Sequence, residues 1–358
     1  MLEIHQARRG RLAALISDRG ADAALVTRLV NVRYLTGLAS SNAALLVHTD
    51  GSAVLATDAR YAGTAARVCP DLELLVERQV AAVLTARAAA VTDRLAFEEH
   101  EVTVEQHADL AGTSGAPGLI PLRRAVEELR EVKDEEELAL LARACAITDQ
   151  AFREVLPSVR PGVTEREIAV ALERRMVDLG AEKPAFDSIV ASGPNGAVPH
   201  HDPGDRAVEA GDLVTMDFGA LYGGYHADMT RTVAVGRVAD WQREMYDLVA
   251  AAQRAGYEAA VVGADTKGVD AAARDLIAAA GHADHFPHGL GHGVGLEIHE
   301  APLLGYDKTG KLMDRVPITA EPGVYIAGQG GVRIEDTLVV RAGGPELLTK
   351  TTKELLVL

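Results

Sequence analysis

The chain has 358 residues, 48% hydrophobic and 25% charged, the make-up of an ordinary globular protein with core enough for two or three domains. Its 52 acidic residues against 36 basic ones give a net charge of −16, which weighs against a nucleic-acid partner, since phosphate binding wants a basic face. No stretch approaches the ~20 apolar residues of a membrane span, no basic segment followed by an apolar run opens the sequence, and Cys69 and Cys145 lie too far apart to suggest a disulfide framework; a cytoplasmic setting is the expectation.

In chain order, residues 3–20 read as a helix with Leu12, Ala13, Leu15 and Ile16 on its apolar face. Residues 21–26 and 43–47 read as buried strands, Asp50-Gly51 as a turn, 52–56 as a strand, and a helix follows Asp58. The alternation of strand and helix continues past Phe97 and predicts a small α/β domain over residues 1–128. The charged run 129–134 opens a second domain, 129–358, through a long helix from Glu135 to about Val155. Pro161-Gly162 breaks the chain, and Thr164 with Glu167 forms a capping box for the next helix, to about Asp178. Residues 186–191 read as a strand that opens into the loop 192–196. Residues 213–216 and 230–233 read as paired strands, and two helices, about 240–262 and 266–280, lead to a glycine-rich run around His292.

The chemistry concentrates in two acidic hairpins. A turn centred between Tyr222 and Gly223 would set Asp217 directly opposite Asp228. Cross-strand partners stand roughly 4.5–5.5 Å apart at Cβ, and like charges there destabilise a sheet, so a cation is called for between them. Downstream, a hairpin centred on Gly328 would bring Glu321 opposite Glu335. His292 lies between the hairpins in sequence, and imidazole suits first-row transition metals. Four carboxylates and a neutral imidazole carry four negative charges, which matches two divalent cations able to clamp a reacting carbonyl.

Asp217, Asp228, His292, Glu321 and Glu335 are spaced by 11, 64, 29 and 14 residues, within the words Met-Asp-Phe-Gly, Ala-Asp-Met-Thr-Arg-Thr, Gly-His-Gly-Val-Gly-Leu-Glu-Ile-His-Glu, Glu-Pro-Gly-Val-Tyr and Gly-Val-Arg-Ile-Glu-Asp. This set resembles the five metal ligands of the pita-bread metallopeptidases, which include methionine aminopeptidase, aminopeptidase P and prolidase. Residues 31–37 (Asn-Val-Arg-Tyr-Leu-Thr-Gly) and 58–61 (Asp-Ala-Arg-Tyr) resemble words of the N-terminal domain of aminopeptidase P and prolidase, a domain that methionine aminopeptidases lack.

The resemblance implies an α/β (α+β) protein, with a creatinase-like N-terminal domain followed by a pita-bread catalytic domain of two pseudo-twofold halves. It implies a homodimer that cuts the bond between an N-terminal residue and a following proline, its partner being a peptide with proline at the second position rather than a nucleic acid or a membrane. Two divalent ions are expected, Mn²⁺ first, with Co²⁺ or Zn²⁺ as alternatives. The family pattern gives His200, 17 residues before Asp217, and His299, seven after His292, contacts to substrate near the scissile bond. Glu321 is expected to serve as general base as well as ligand, with Asp217 and Glu335 as alternatives. Arg333, two residues before Glu335 on the same strand face, resembles an arginine of the Xaa-Pro peptidases and can offset negative charge. Thr230 shares a face with Asp228 and can hold a ligand by its hydroxyl. His201 should point away from the site. His282, His285 and His288 lack a completing ligand set and read as a loop leading to His292, with His288 able to line the site.

Pro317 cannot donate in a ladder, which leaves the start of the strand before Glu321 open. Dipeptidase and aminopeptidase stay alternatives. So does a related aminopeptidase without proline specificity, or a catalytically silent binding protein on the same fold, although such relatives normally lose ligands and all five are present.

Overall fold

The structure is a computed structural model that describes residues 2–358. It divides into two compact units, one up to Arg130 and one from Glu131 onward.

The first unit alternates helix and strand: α1 (Leu2–Asp18), β1 (Ala23–Val26), α2 (Leu29–Thr36), β2 (Ala43–His48), β3 (Ala53–Thr57), α3 (Ala62–Val68), β4 (Glu73–Val76), α4 (Val80–Ala89), β5 (Arg94–Phe97), α5 (Val104–Ala111) and β6 (Gly118–Pro121), with α6 (Ala125–Glu131) carrying the chain across the boundary. The strands form a sheet in the order β4-β3-β2-β1-β5-β6, antiparallel at β3-β2-β1 and parallel elsewhere. Its central strands are buried on both faces, which is why they read as unbroken apolar runs. Ala23, Leu25, Ala44 and Leu46 face Leu84 and Ala88 of α4. α1 is held to the unit by Arg8 and Arg9, both buried, which donate to the carbonyls of Tyr34 and Leu35.

The second unit has two related halves. In the first half, α7 (Glu135–Val155) and α8 (Glu165–Asp178) lead through β7 (Lys183–Pro184) and β8 (Ile189–Ser192) to the hairpin strands β9 (Leu213–Phe218), β10 (Ala220–Tyr222), β11 (Tyr225–His226) and β12 (Met229–Ala234). The second half repeats the plan with α9 (Asp240–Ala259), α10 (Thr266–Ala279), β13 (Gly291–Gly293), β14 (Glu300–Leu304), β15 (Pro317–Ala320), β16 (Gly323–Ile326), β17 (Gly330–Arg333), β18 (Asp336–Val339) and β19 (Glu346–Leu347). Capping boxes start α7 at Asp134 and α8 at Thr164, and three glutamates in the first turn of α7 suit its positive end. α7 buries Leu138, Leu141, Cys145, Thr148, Phe152 and Val155, a stripe at spacings of three and four. Each large apolar side chain on it contributes about 1.5–3 kcal/mol by leaving water. Val190, Val214, Met216 and Phe218 pack in the first-half core, while Val249, Ile277, Ile318 and Leu338 pack in the second.

The first hairpin departs from the predicted register. Gly223 and Gly224 have φ of +60° and +86°, as a two-residue turn of type I′ requires at both central positions. The turn is therefore centred one residue later, and Asp217 pairs with Thr230 rather than with Asp228. Because side chains alternate across a strand, a slip of two preserves the face, and both aspartates still serve one site. Asp228 lies in the break between β11 and β12. Gly219 makes that break possible, since a Cβ there would stand 1.7 Å from the Ala227 carbonyl oxygen. The second hairpin keeps its predicted register. Ala320 pairs with Asp336 and Gly323 with Arg333, which sets Glu321 across from Glu335. Pro317 is the first residue of β15, where its missing N–H costs nothing and its carbonyl accepts from Val294. The predicted strand at 186–191 begins only at Ile189.

Candidate active site

Five strand ends and breaks converge on a cavity of about 530 Å³. Asp217 comes from the end of β9, Asp228 from the break before β12, His292 from β13, Glu321 from the residue after β15, and Glu335 from the step between β17 and β18. One ligand atom each from Asp228, His292 and Glu335 lies within 4.8 Å of the others. His292 Nε2 stands 3.6 Å from Asp228 Oδ2 and 3.3 Å from Glu321 Oε1. Its Nδ1 is 3.0 Å from the Gly293 carbonyl oxygen. A carbonyl only accepts, so Nδ1 carries a proton, and Nε2 is the atom turned toward the carboxylates and the one a metal would take.

The carboxylates are held crosswise between the hairpins. Arg333, on the second, donates from Nη2 to Asp217 Oδ2 on the first at 2.7 Å. Thr230, on the first, donates from Oγ1 to Glu335 Oε2 on the second at 2.7 Å. The same Thr230 oxygen accepts from Arg333 Nε at 3.1 Å. Arg333 Nη1 reaches the Tyr325 hydroxyl at 3.0 Å. Tyr325 lies 2.9 Å from His288 Nε2. His288 Nδ1 faces the Gly289 carbonyl at 2.8 Å, so His288 Nε2 accepts from the tyrosine.

Charge in this pocket is unbalanced without a cation. Burial, then the charges of Glu335 and Asp217, push Asp228 well above the carboxylate range. Burial, then Glu321 and Asp217, do the same to Glu335. Burial pushes Glu321 upward most strongly, but the hydrogen bond with His292 and the charges of His292, His288 and Arg333 together outweigh it and bring it to about 2. Among the described residues, Asp217 Oδ1 and Glu335 Oε1 are buried with no hydrogen-bond partner. Orphaned buried oxygens are costly, and both lie in this cluster. The donor set, the tautomer of His292 and the two free oxygens fit divalent cations.

His200 and His299 both line the cavity. The ring of His299 packs edge-on to His292, with centroids 4.4 Å apart. His201 points away and meets Glu165 at 2.8 Å. His288 lines the cavity, whereas His282 and His285 pair with each other, Nδ1 to Nδ1 at 3.0 Å. The sequence reading had no role for Tyr325, although its place in the Glu-Pro-Gly-Val-Tyr word, four residues after a ligand, was a signal. Thr319 was also missed; its hydroxyl receives the His292 backbone N–H and lies 3.2 Å from Glu321 Oε1.

The family model described as metallopeptidase family M24 matches residues 139–342. The chain belongs to this family. A second family model, the creatinase/prolidase N-terminal domain, matches residues 8–132. The M24 chain is 39% identical over 352 residues to the uncharacterized peptidase YqhT of Bacillus subtilis (strain 168), covering 97% of this chain and 99% of the relative. Among solved structures it is similar to an Xaa-Pro dipeptidase from Bacillus anthracis, with a TM-score of 0.95, 36% identity, and coverage of 99% of this chain and 100% of that one. It is also similar to an X-Pro aminopeptidase from Thermotoga maritima MSB8, with a TM-score of 0.90, 35% identity, and coverage of 98% and 99%. Membership of M24 implies divalent metal ions and a peptide substrate. Among the described residues no helix is long and apolar enough to cross a membrane.

Proposed function

We propose that the chain hydrolyses the bond between an N-terminal residue and a following proline, with residues 129–358 as the catalytic domain and residues 1–128 as a separate creatinase-like domain. The observation that carries this is the convergence of Asp217, Asp228, His292, Glu321 and Glu335 on one cavity, with buried oxygens left over for cations. The proline preference rests on the likeness to the B. anthracis dipeptidase and the T. maritima aminopeptidase.

Bound among the five ligands, two divalent cations would supply Lewis-acid polarisation of the scissile carbonyl and acidify water. Glu321 accepts the proton of the attacking water and returns it to the leaving proline nitrogen. His200 and His299 donate to the oxygen on which charge develops. Arg333 holds Asp217 in place and offsets the negative charge that builds up in the cavity. The carboxylate-rich donor set suits manganese, with cobalt or zinc as substitutes. Homodimerisation and a cytoplasmic location complete the reading; two buried free cysteines, Cys69 and Cys145, suit a reducing compartment.

The test is a cleavage assay on Mn²⁺-loaded protein with a Met-Pro dipeptide and a Met-Pro-Xaa-Xaa tetrapeptide, products read by mass spectrometry. Cleavage of the dipeptide alone makes it a dipeptidase, and release of methionine from the tetrapeptide makes it an aminopeptidase. If neither peptide is cut by protein carrying two metals, the proline assignment falls.

A further inference from the structure

We infer that Glu165 is a positioning residue that acts through His200. The inference rests on the role proposed for His200.

Glu165 is the first residue of α8, and its side chain is fully buried. A buried carboxylate must be compensated, and this one is met by five donors. Oε1 accepts from the Ser192 backbone N–H at 2.7 Å, the Ser192 hydroxyl at 2.7 Å and Asn195 Nδ2 at 2.9 Å. Oε2 accepts from His201 Nε2 at 2.8 Å and the Gly204 backbone N–H at 3.2 Å. All five donors belong to residues 192–204, the last residue of β8 and the start of the loop that leads to β9. That loop delivers Pro199 and His200 to the cavity.

His200 is fixed from both sides. The residue after it, His201, is tied to Glu165. The residue before it, Pro199, offers its carbonyl to Arg333 Nη1 at 3.3 Å, the same guanidinium that holds Asp217. Arg206 closes the loop's far end, reaching the Ser192 hydroxyl at 2.6 Å and Asp212 Oδ2 at 2.6 Å. The backbone N–H groups at the start of α8 add to the hold: Glu165 N donates to the Arg206 carbonyl and Arg166 N to that of Gly204. A loop of this length without a centre would let an exposed imidazole wander. Glu165 supplies the centre.

The deciding variant is Glu165→Gln. The amide keeps the shape and can still accept from Ser192 and Asn195. Its NH₂ group faces the Gly204 N–H donor against donor, and meets His201 Nε2 only if that ring moves its proton to Nδ1, so the His201 side of the anchor is weakened. We expect kcat on the Xaa-Pro substrate to fall about 10- to 100-fold, as a misplacement of the order of 1 Å does. KM and bound metal should change less than about twofold, since no ligand is touched. In a His200→Ala background the same change should cost nothing further, because residues acting as a unit are not additive. Equal losses in both backgrounds would overturn the inference, as would an unchanged kcat.

A second readout needs no substrate. In Zn²⁺-loaded protein with ¹³C-labelled histidine, the His200 ring signal, assigned by its loss in His200→Ala, should shift or broaden in Glu165→Gln. An unmoved His200 signal refutes the positioning role. A moved signal in a protein that cuts no Xaa-Pro peptide upholds the positioning and removes only the substrate reading. Should Glu165→Gln fail to fold, His201→Asn removes a single donor and submits to the same cycle, with a smaller loss of kcat expected in the wild-type background and none in His200→Ala.

Discussion

The two acidic hairpins solve the same problem differently. In the first, a two-glycine turn sets Asp217 against Thr230, and Asp228 sits off the ladder in a strand break. In the second, a turn around Gly328 leaves Glu321 facing Glu335 within one continuous register. Neither hairpin neutralises its own acids. Arg333 of the second serves Asp217 of the first, and Thr230 of the first serves Glu335 of the second. The lesson is that the site is a property of the pair: a hairpin taken alone would present like charges with nothing to hold them.

The comparison can be broken at graded points. Asp228→Asn removes a proposed ligand from the off-ladder position and should lower kcat/KM at least about a thousandfold, or ~4 kcal/mol, with bound metal falling in parallel by elemental analysis. Retained activity at full metal content would remove Asp228 from the ligand set. Arg333→Met breaks the crosswise hold from one side and leaves Asp217 buried and unpaired. Removal of one partner of a buried pair costs about 3–5 kcal/mol, so urea unfolding of the apoprotein should lose about 3 kcal/mol. A loss under ~1 kcal/mol would mean that Asp217 finds another partner.

Chelation tests both hairpins together. If the ions are held at about a hundred times their Kd, stripping them with EDTA should remove about 2.7 kcal/mol of stability. That corresponds to a fall in Tm of about 5–10 °C. An unchanged Tm would argue that the acids are compensated without metal. Thr230→Val breaks the hold from the other side while keeping the shape. Loss of an outer partner of a ligand weakens metal binding or activity about 10- to 100-fold, which a metal titration reads directly. Thr232→Val is the control: it sits two residues along the same strand, and its hydroxyl meets Thr215 and the Arg333 backbone but no ligand. Tyr325→Phe should have the smallest effect, ~1 kcal/mol, since it cuts the Arg333–Tyr325–His288 chain but leaves Arg333 on Asp217. A larger drop in kcat would place the tyrosine against substrate.

Much of this architecture was legible in the sequence because it is local. Capping residues fix the starts of α7 and α8, short apolar runs mark the strands of the first unit, and the ligand words sit on strand ends at spacings a hairpin permits. The second hairpin's register was readable because the loop between its strands is three residues, 327–329, with Gly328 at its middle. The first was not, because two adjacent glycines leave the centre one residue uncertain, and that residue doubles into a slip of two in the partner. What escaped entirely was long-range pairing. Nothing in the pattern around Glu165 announces that it meets residues 27 to 39 positions further on, and nothing near Arg8 and Arg9 announces that they are buried against carbonyls of α2. Such contacts have no period and no neighbouring punctuation, so only the folded chain displays them.

The crosswise hold also sets an order of events during biosynthesis. Asp217 leaves the ribosome 116 residues before the arginine that will neutralise it. Glu335, which lies with Asp228 and His292 in the candidate metal site, follows two residues after that arginine. The first hairpin must therefore wait, its acids still in water, until the second closes over it. On the proposed ligand set, ion capture becomes one of the last acts of maturation, and a nascent chain cut short before Arg333 would lack Glu335 and leave Asp217 without its guanidinium.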